Sequence, residues 1–450
     1  MENFAPTVSV LTLGCRVNQY ESDAFAAEMK RRGARIVPFG DPADLCVVNT
    51  CTVTGESDRK SRQMIRRAAQ SAPLVAVTGC FAQIAGDEAE AMENVIYVTG
   101  NDGKASLADT AWNILGGALP EAVNAVSPPV SRAGVETTLS VPMRTRSYIK
   151  IEDGCNNRCS YCLIRKARGP VRSKERETVL AEARALAEAG AKEVILTGIE
   201  AASYGMDFPD RKPYGHALAD LIRGVNGIPG IERIGLGSLE PTVLNETFVE
   251  AARESEHLLP HFHLSVQSGS AKVLRAMRRR YVPETVLAAV GRMRSALPEA
   301  TFSADIIVGF PGETEEDFAE TEAFCRAAEF LHLHIFPYSE REGTEAAEME
   351  ERVPVRVRRD RAARLEETGV QIRRSLLERY TAEHGEKPVR LLVEKRAGGM
   401  LSGHSEHFVE IRRVPGRAQV GEIVPVCVES TDGIVCTGRL AASPAGERSE

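Results

Sequence analysis

Three cysteines within eight residues, Cys155, Cys159 and Cys162, constrain this chain more than any other feature. They directly follow a strand-like run and have the spacing C-x3-C-x2-C. Three thiolates on one short loop can each bind one iron of a four-iron, four-sulfur cluster. The fourth iron then has no protein ligand and can bind a small molecule. The spacing therefore indicates a catalytic cluster rather than a closed electron-transfer centre.

A structural zinc ion is the alternative for this loop. Structural zinc takes a closed tetrahedral shell of four ligands, mostly Cys and His. The sequence offers no fourth Cys or His close to the loop, and the next histidine is His216. The spacing therefore favours the open cluster.

The cysteine loop begins a region in which strand-like and helical segments alternate. Strands are predicted at 148–152, 193–197, 233–237, 261–266, 301–308 and 332–336. Six successive strand–helix units predict an open, partial barrel with its functional groups at the C-terminal ends of the strands. We assign residues 144–380 to this domain, including a long charged helix at 357–380, and residues 126–143 to a linker before it.

Residues 1–125 show the same alternation, with strands predicted at 8–13, 45–49, 74–78 and 95–98 and a first helix at 23–32. This pattern predicts an α/β domain with a parallel sheet covered by helices. Cys15, Cys51 and Cys80 each follow a strand, and the carboxyl ends of parallel strands share one edge of the sheet. A second set of three thiols is therefore predicted there, the alternative being that these cysteines only fill strand ends. Cys46 lies inside a strand and fits that packing role.

The C-terminal part has a different pattern. Residues 385–443 read as five short strands separated by glycine turns, which predicts a small antiparallel β-barrel. Its charges are nearly balanced, so composition does not mark it as RNA-binding. Residues 444–450 are predicted to be a disordered tail.

The net charge limits the partners. A formal charge of -7 excludes a global polycation, so any nucleic-acid contact has to use local basic patches. The segment 352–374 holds eight arginines, and 278–280 and 58–70 are also basic. Solvated helix faces are the alternative for these segments. Because the chain has neither a signal segment nor an apolar run of about 18 residues, we expect a cytoplasmic protein with no membrane and no DNA partner.

The loop Gly154-Cys155-Asn-Asn-Arg-Cys159-Ser-Tyr161-Cys162 resembles that of the radical S-adenosylmethionine enzymes. The resemblance implies that S-adenosylmethionine occupies the open iron through its amino and carboxylate groups. Tyr161 matches the aromatic position that packs near the adenine in that superfamily, and a ring there can stack on a nucleobase. Core packing is the alternative for Tyr161.

The whole arrangement of domains, from about residue 8 to residue 440, resembles the methylthiotransferases. The resemblance implies that Cys15, Cys51 and Cys80 hold an auxiliary four-iron cluster, which handles the sulfur to be inserted. It also implies that the C-terminal barrel corresponds to the TRAM modules that follow related enzymes.

Two N-terminal segments indicate a subgroup of this family. Gly14-Cys-Arg-Val-Asn-Gln-Tyr-Glu21 and Thr52-Val-Thr-Gly-Glu-Ser-Asp-Arg-Lys-Ser-Arg-Gln63 are similar to the enzymes that act on N6-threonylcarbamoyladenosine at position 37 of tRNA. Two positions depart from the pattern. Ser270 stands where a cysteine is common, and Glu200 stands where a histidine is common, so neither is given a role.

The barrel mouth supplies the predicted cofactor contacts. Gly198, Gln267 and Gly309 lie at strand ends that open to the same mouth. Glycines there let the backbone approach a ligand closely. Ser265 and Gln267 offer polar contacts to S-adenosylmethionine.

Charged and imidazole side chains complete the candidate set. Arg168 and Arg172 follow the cysteine loop, and either can pair with the cofactor carboxylate or an RNA phosphate, or instead form a surface ion pair. His332 and His334 alternate on the last strand and face one side. Because no third ligand is near, we predict that they are packed or hydrogen-bonded rather than bound to metal.

The resemblances together imply a tRNA methylthiotransferase acting on carbon 2 of N6-threonylcarbamoyladenosine-37 in the anticodon loop. Its cofactors would be two four-iron clusters and S-adenosylmethionine, and its partners would include an external electron donor and a sulfur source. The alternatives are the same chemistry on N6-isopentenyladenosine-37 or on a ribosomal-protein aspartate, and a non-catalytic RNA-binding iron–sulfur protein.

Overall fold

The computed structural model describes residues 5–130, 135, 137–210 and 212–441. The first domain is a five-stranded parallel sheet in the order β2-β1-β3-β4-β5. Its strands are β1 (Thr7–Thr12), β2 (Arg35–Val37), β3 (Leu45–Thr50), β4 (Leu74–Gly79) and β5 (Val95–Val98). Its helices are α1 (Arg16–Arg31), α2 (Gly55–Ser71), α3 (Cys80–Ile84), α4 (Gly86–Glu90) and α5 (Leu107–Leu115).

Helices cover both faces of this sheet. On one face, Val48 and Val77 pack with Ile65 of α2. On the other face, Val47 packs with Phe25 of α1. Strands buried on both faces are continuous apolar runs in the sequence, which is why β3 and β4 were predictable.

The first helix is longer than predicted. It begins at Arg16, directly after Cys15, whereas the sequence predicts a start at residue 23. The added turns carry polar residues that are nevertheless buried, including Asn18 and Ser22, so the usual apolar periodicity is missing there. The edge strand β2 has only three residues and was not predicted.

The second domain is an open, partial barrel. The parallel sheets β10-β9-β6 and β11-β12-β13 are joined by single bridges, Ile234 to Leu258 and Leu239 to Leu264. Its strands are β6 (Ser147–Lys150), β7 (Glu152–Asp153), β8 (Arg172–Ser173), β9 (Glu193–Thr197), β10 (Arg233–Leu236), β11 (His261–Gln267), β12 (Thr301–Val308) and β13 (His332–Pro337). Its helices are α6 (Ile164–Arg168), α7 (Arg176–Glu188), α8 (His216–Asn226), α9 (Glu246–Glu254), α10 (Ala271–Ala276), α11 (Pro283–Ala296), α12 (Glu315–Ala328) and α13 (Val355–Glu383). The predicted six-strand partial barrel is confirmed.

The interior of this barrel, which we call the lumen, is polar. Ile149, Val194 and Leu236 pack outward against the helices in the main core. Because side chains alternate along a strand, their neighbours face the lumen. The lumen face includes Tyr148, Lys150, Glu193, Arg233, His261, His263, Ser265, Asp305 and His334.

The third domain is a closed five-stranded barrel in the order β14-β15-β16-β18-β17. Its strands are β14 (Val389–Ala397), β15 (Met400–His404), β16 (Glu410–Pro415), β17 (Ile423–Thr431) and β18 (Cys436–Leu440). The prediction of a purely antiparallel barrel was wrong in one place, because β16 and β18 pair in parallel. The pairing of β16 with β18 closes the barrel, and a sequence pattern of short strands does not specify which strands form such a closing pair.

The small barrel is seated on the N-terminal ends of the lumen strands. Phe408 stacks on His261, the first residue of β11, with ring centroids 4.5 Å apart. Arg233 donates hydrogen bonds to the carbonyl oxygens of Arg390 at 3.0 Å and Ser405 at 3.0 Å, and pairs with Glu193 at 2.7 Å. A stacked pair of rings and a buried charge network therefore fix this end of the lumen.

Within the described residues, no helix is long and apolar enough to cross a membrane. The predicted tail at 444–450 lies outside the described residues. The boundaries assigned to the domains and to the linker at 126–143 stay predictions.

Candidate functional site: two sets of three thiols

The cysteine loop is held at both of its ends. The Cys155 N–H donates to the carbonyl oxygen of Gly169 at 3.0 Å, and the Cys162 N–H donates to that of Cys159 at 3.1 Å. The sulfurs of Cys155 and Cys162 accept backbone N–H groups of Asn157 and Ile164, each at 3.4 Å. All three cysteines are partly exposed. The loop thus presents three accessible sulfurs from a fixed backbone.

The electrostatics of the loop depend on burial and on one arginine. Burial, and then the neighbouring Cys159, raise the pKa of Cys162 to about 11. Burial also raises the pKa of Cys155. Arg279 donates a hydrogen bond to the Cys159 sulfur at 3.3 Å, and its side chain is only 5% exposed. The Cys155 and Cys162 thiols therefore keep their protons near pH 7 until a metal displaces them, and Arg279 places a positive charge beside the Cys159 sulfur.

The donor set fits a cluster rather than a single ion. In the part of the chain that the structure describes, no three His, Cys, Asp or Glu side chains are arranged to hold one metal ion. The zinc alternative therefore lacks a closed ligand shell among the described residues. A four-iron cluster needs only one thiolate on each of three irons, which is what this loop offers.

The first-domain cysteines lie at one sheet edge, as predicted. Cys15 precedes α1, Cys51 follows β3, and Cys80 begins α3. A Cβ atom built on Gly14, next to Cys15, would lie 2.9 Å from the Cys51 sulfur. Burial, and more weakly the thiols of Cys80 and Cys15, raise the pKa of Cys51. The three thiols are therefore neighbours, and their ligation of iron stays a prediction.

Cys46 does not join this group. It is fully buried within β3, and it packs in the core beside α2. Burial raises the pKa of its thiol to about 11. The predicted packing role of Cys46 fits this environment.

The two sets of thiols face one another across the domain boundary. Asn101 of the first domain donates hydrogen bonds to the Cys80 sulfur at 3.8 Å and to the carbonyl oxygen of Ala167, in the helix that follows the cysteine loop, at 2.6 Å. Arg168 of α6 donates a hydrogen bond from Nε to the Cys80 sulfur at 3.3 Å. A residue that follows the barrel loop thus contacts a cysteine of the first domain.

Arg168 is the main correction to the predicted cofactor contacts. Its side chain is fully buried, and it pairs with Glu21 at 2.8 Å and Asp153 at 3.1 Å. It also donates to Asn18. A guanidinium with all these partners has no donor left for a cofactor carboxylate, so the sequence expectation was wrong. Arg172 is likewise paired, with Asp102 at 2.8 Å.

Glu21 is the centre of this buried network. Lys104 and Lys150 also pair with Glu21. Burial raises the pKa of the Glu21 carboxyl, but Arg168, Lys104 and Lys150 together hold it well below its ordinary value. The network joins α1 to the barrel beside both thiol sets.

The predicted glycines contact protein rather than open space. Gly309 has φ +71°, and a Cβ there would collide with the side chain of Arg358. A Cβ on Gly198 would collide with the buried carboxylate of Glu152. Both glycines are needed for close approach, but Gly309 is covered by α13, so we no longer expect it to contact a cofactor.

Ser265, Gln267 and Tyr161 remain at the mouth. The Ser265 carbonyl oxygen accepts hydrogen bonds from Arg279 and Tyr281, each at 2.8 Å. Gln267 has φ +76°, at a register shift of β11. Tyr161 packs edge-on against Phe310 with centroids 6.3 Å apart. The packing of Tyr161 is thus partly structural, and its contact with adenine stays a prediction.

Two carboxylates beside the cysteine loop were missed. The Glu240 N–H donates to Glu200 Oε1 at 3.0 Å, and Asn157 of the loop donates to Glu240 Oε2 at 3.1 Å. Burial, and then Glu240, raise the pKa of Glu200 to about 7. In the sequence Glu200 stood out only as a departure from the family pattern, and Glu240 gave no signal.

The raised pKa of Glu200 predicts that the stability of the protein depends on pH. Its native pKa of about 7 lies above the ordinary 4.5, so the native state holds the proton longer than the unfolded chain. Stability is therefore lost as the pH rises from 4.5 to about 7, by up to roughly 3 kcal/mol. We expect Glu200→Gln to be more stable than the parent at pH 8 and equal to it near pH 4.5 in urea unfolding. A difference that does not vary with pH would contradict this assignment.

The lumen histidines are hydrogen-bonded and packed, in accord with the prediction for His332 and His334. His263 Nε2 lies 3.1 Å from Asp305, and its ring lies 5.3 Å from that of His334. Burial lowers the pKa of His332 to about 3. His332 and His334 are therefore neutral near pH 7.

Two arginines of the predicted RNA patch on the long helix are structural. Arg358 donates to the carbonyl oxygen of Tyr338 at 2.9 Å, and Arg361 pairs with Glu313 at 2.7 Å. Both side chains are buried and hold α13 against the barrel. The other arginines of this segment are mostly exposed, namely Arg352, Arg356, Arg359, Arg364 and Arg374, and their contact with RNA phosphate stays a prediction.

Comparison with known proteins agrees with this architecture. Residues 149–325 match the family model described as the radical SAM superfamily, and residues 7–100 match "Uncharacterized protein family UPF0004". The chain is 37% identical over 426 residues to threonylcarbamoyladenosine tRNA methylthiotransferase MtaB of Bacillus subtilis, covering 93% of both proteins. It is 37% identical over 427 residues to the protein of that name from Thermotoga maritima, covering 94% of both.

A solved structure shares the fold. The radical S-adenosylmethionine methyltransferase TsrM from Kitasatospora setae, with cobalamin and a [4Fe-4S] cluster bound, has a TM-score of 0.55 and 14% identity. The match covers 89% of this chain and 81% of that chain. At this identity the likeness concerns the fold alone.

Proposed function

The chain belongs to the radical S-adenosylmethionine tRNA methylthiotransferases, and from that membership we propose its substrate and the roles of its residues. It adds a methylthio group to carbon 2 of N6-threonylcarbamoyladenosine at position 37 of tRNA. The observation that carries this proposal is the juxtaposition of two sets of three thiols, with Arg168 of one domain bonded to Cys80 of the other.

The two thiol sets hold two four-iron clusters. Cys155, Cys159 and Cys162 hold the cluster at the barrel mouth, and Cys15, Cys51 and Cys80 hold the auxiliary one. When bound, these clusters and S-adenosylmethionine supply the electron, the sulfur and the methyl group of the reaction. An external electron donor and a sulfur source replenish them.

The surrounding residues set charge and access at the mouth. Arg279 and Arg168 each donate a hydrogen bond to one cysteine sulfur at 3.3 Å and place a positive charge beside it. Glu200 and Glu240 can accept hydrogen bonds from an ammonium group of a ligand beside the loop. Tyr161 borders the same space and offers its ring to a base.

The RNA is recognised in its anticodon loop. An unpaired adenine can be splayed out of the loop and into a pocket, which brings carbon 2 to the mouth. The closed C-terminal barrel has the size of a TRAM module, and such small barrels can bind single-stranded RNA on their faces. A cytoplasmic location follows from the tRNA substrate.

Nucleoside analysis tests the substrate. In tRNA from a strain lacking the gene, we expect loss of the 2-methylthio derivative of N6-threonylcarbamoyladenosine and accumulation of the parent nucleoside. The wild-type gene should restore the derivative, and a Cys51→Ala copy should not. Loss of methylthio-isopentenyladenosine instead, or of a ribosomal-protein modification with unchanged tRNA, would replace this proposal with the matching alternative. Reconstituted protein that never cleaves S-adenosylmethionine would indicate a non-catalytic iron–sulfur protein.

A further inference from the structure

The side chain of Arg16 extends from the first domain toward the lumen of the barrel. It is the first residue of α1 and directly follows Cys15. Its guanidinium donates one long hydrogen bond, 3.4 Å, to the carbonyl oxygen of Leu236 at the end of β10. The side chain therefore spans from the auxiliary thiol set to the interior of the barrel.

The surroundings of Arg16 come from several lumen strands. The positive charge of Arg16 contributes to lowering the pKa of His261 of β11 and of His334 of β13. Burial lowers the pKa of Arg16 itself, and among the groups that oppose this effect Tyr148 of β6 has the largest influence. These residues place the guanidinium between strands from both halves of the partial barrel.

Arg16 is partly buried and has no ion-pair partner among the described residues. The fully buried Arg168 and Arg233, by contrast, each have a carboxylate within 2.8 Å. Two carboxylates of the lumen are committed elsewhere, since Glu193 pairs with Arg146 and Arg233, and Asp305 contacts His263. A partly buried cation without a counterion can still be reached by a ligand, so a ligand that brings an anion is favoured at this point.

The proposed substrate carries such an anion. The threonylcarbamoyl group ends in the free carboxylate of threonine, whereas an isopentenyl group carries no charge. Since Arg16 lies between Cys15 and the lumen, a base held between the two thiol sets would bring its N6 substituent within reach of this side chain. A guanidinium can bind a carboxylate through two parallel hydrogen bonds.

We propose that Arg16 binds the carboxylate of the threonylcarbamoyl group and thereby selects this adenine over adenines with apolar N6 substituents. This inference rests on the proposed function, because it assigns a specificity-determining residue to that same site. It requires the fixed charge of Arg16, and neither a metal nor a change of protonation.

A charge-exchange experiment tests the inference. Anticodon stem-loop RNA carrying N6-threonylcarbamoyladenosine is compared with the same RNA carrying its methyl ester, which removes only the negative charge. Binding to the reconstituted full-length protein is measured as Kd. We expect the parent protein to prefer the acid by about tenfold to a hundredfold, the range of a hydrogen bond to a charged group. Arg16→Gln should bind acid and ester equally, and Arg16→Lys should keep part of the preference.

Arg144→Gln is the matched control. Arg144 also contacts α1, through Asp23, but its side chain is 47% exposed and lies outside the site. This variant should keep the full preference for the acid. If Arg16→Gln weakens both RNAs by the same factor, the residue binds phosphate or supports the fold, and the inference is overturned. Retention of the acid preference by Arg16→Gln overturns it as well.

The failure of the inference can be told apart from failure of the proposed function. Parent protein that methylthiolates the acid-bearing stem-loop, together with an Arg16→Gln variant that still prefers the acid, overturns only the role of Arg16. Parent protein that does not modify this stem-loop but modifies an isopentenylated one overturns the proposed substrate. Iron content of each variant shows that the adjacent Cys15 still serves the auxiliary site.

Discussion

Replacement of Cys155 by alanine is expected to abolish cleavage of S-adenosylmethionine. It should also lower the iron content of anaerobically reconstituted protein from about eight to about four per chain, because each thiol set holds one four-iron cluster. The cysteine loop has no fourth Cys or His to take over the lost position. Iron and sulfide analysis and detection of the cleavage products measure the two effects independently.

The corresponding change in the first domain separates the two sites. We expect Cys51→Ala to lose about four irons as well, yet to keep cleavage of S-adenosylmethionine, because the barrel loop is intact. Transfer of the methylthio group should be lost. One variant without cleavage and another with cleavage but no transfer would assign distinct roles to the two thiol sets.

Cys46→Ala and Cys325→Ala are the matched controls. Both thiols are fully buried in apolar surroundings, one in each of the domains concerned. We expect each variant to retain about eight irons and to lose only about 1 kcal/mol of stability. Equal iron content in Cys51→Ala and Cys46→Ala would show that the strand-end thiols hold no cluster.

Replacement of Arg168 by glutamine is expected to destabilise the protein by about 3 kcal/mol, because the buried carboxylates of Glu21 and Asp153 lose one of their positive partners while Lys104 and Lys150 remain. Arg168 neutralises Glu21 and Asp153, and no water reaches its fully buried side chain. Loss of the hydrogen bond to Cys80 should also weaken iron retention at the auxiliary site. Urea unfolding and iron analysis after reconstitution measure these effects.

Arg144→Gln again provides the comparison. It removes an arginine that also joins the barrel segment to α1, but the side chain of Arg144 is 47% exposed. A loss of no more than about 1 kcal/mol is expected for such a pair. Similar losses in the two variants would mean that the network around Glu21 is solvated rather than buried, contrary to the structure.

The sequence predicted the elements of this fold better than their contacts. Continuous apolar runs mark β3 and β4, and the spacing after them placed Cys51 and Cys80 at one sheet edge. Arg168 and Gly309 were misjudged because their partners are distant in the chain. Glu21 lies 147 residues before Arg168, and Arg358 follows Gly309 by a whole helix and strand.

Residues of the site that carry no periodic signal could not be predicted. Glu240 and Arg279 lie on separate loops, and only folding brings them to the cysteine loop. Arg16 was visible only as part of a family-like segment, and its direction into the lumen depends on the packing of α1 along β6. Single-chain patterns report local structure, whereas these roles arise from the docking of two domains.

Phe408 of the small barrel stacks on His261, the first residue of β11, and so closes this end of the lumen. At the same end, Arg233 of β10 donates hydrogen bonds to carbonyl oxygens of the small barrel. An RNA base that enters the interior cannot leave through the end that the small barrel covers. We therefore expect an RNA base and the small cofactor to enter and leave on the opposite side of the barrel, at the C-terminal ends of its strands.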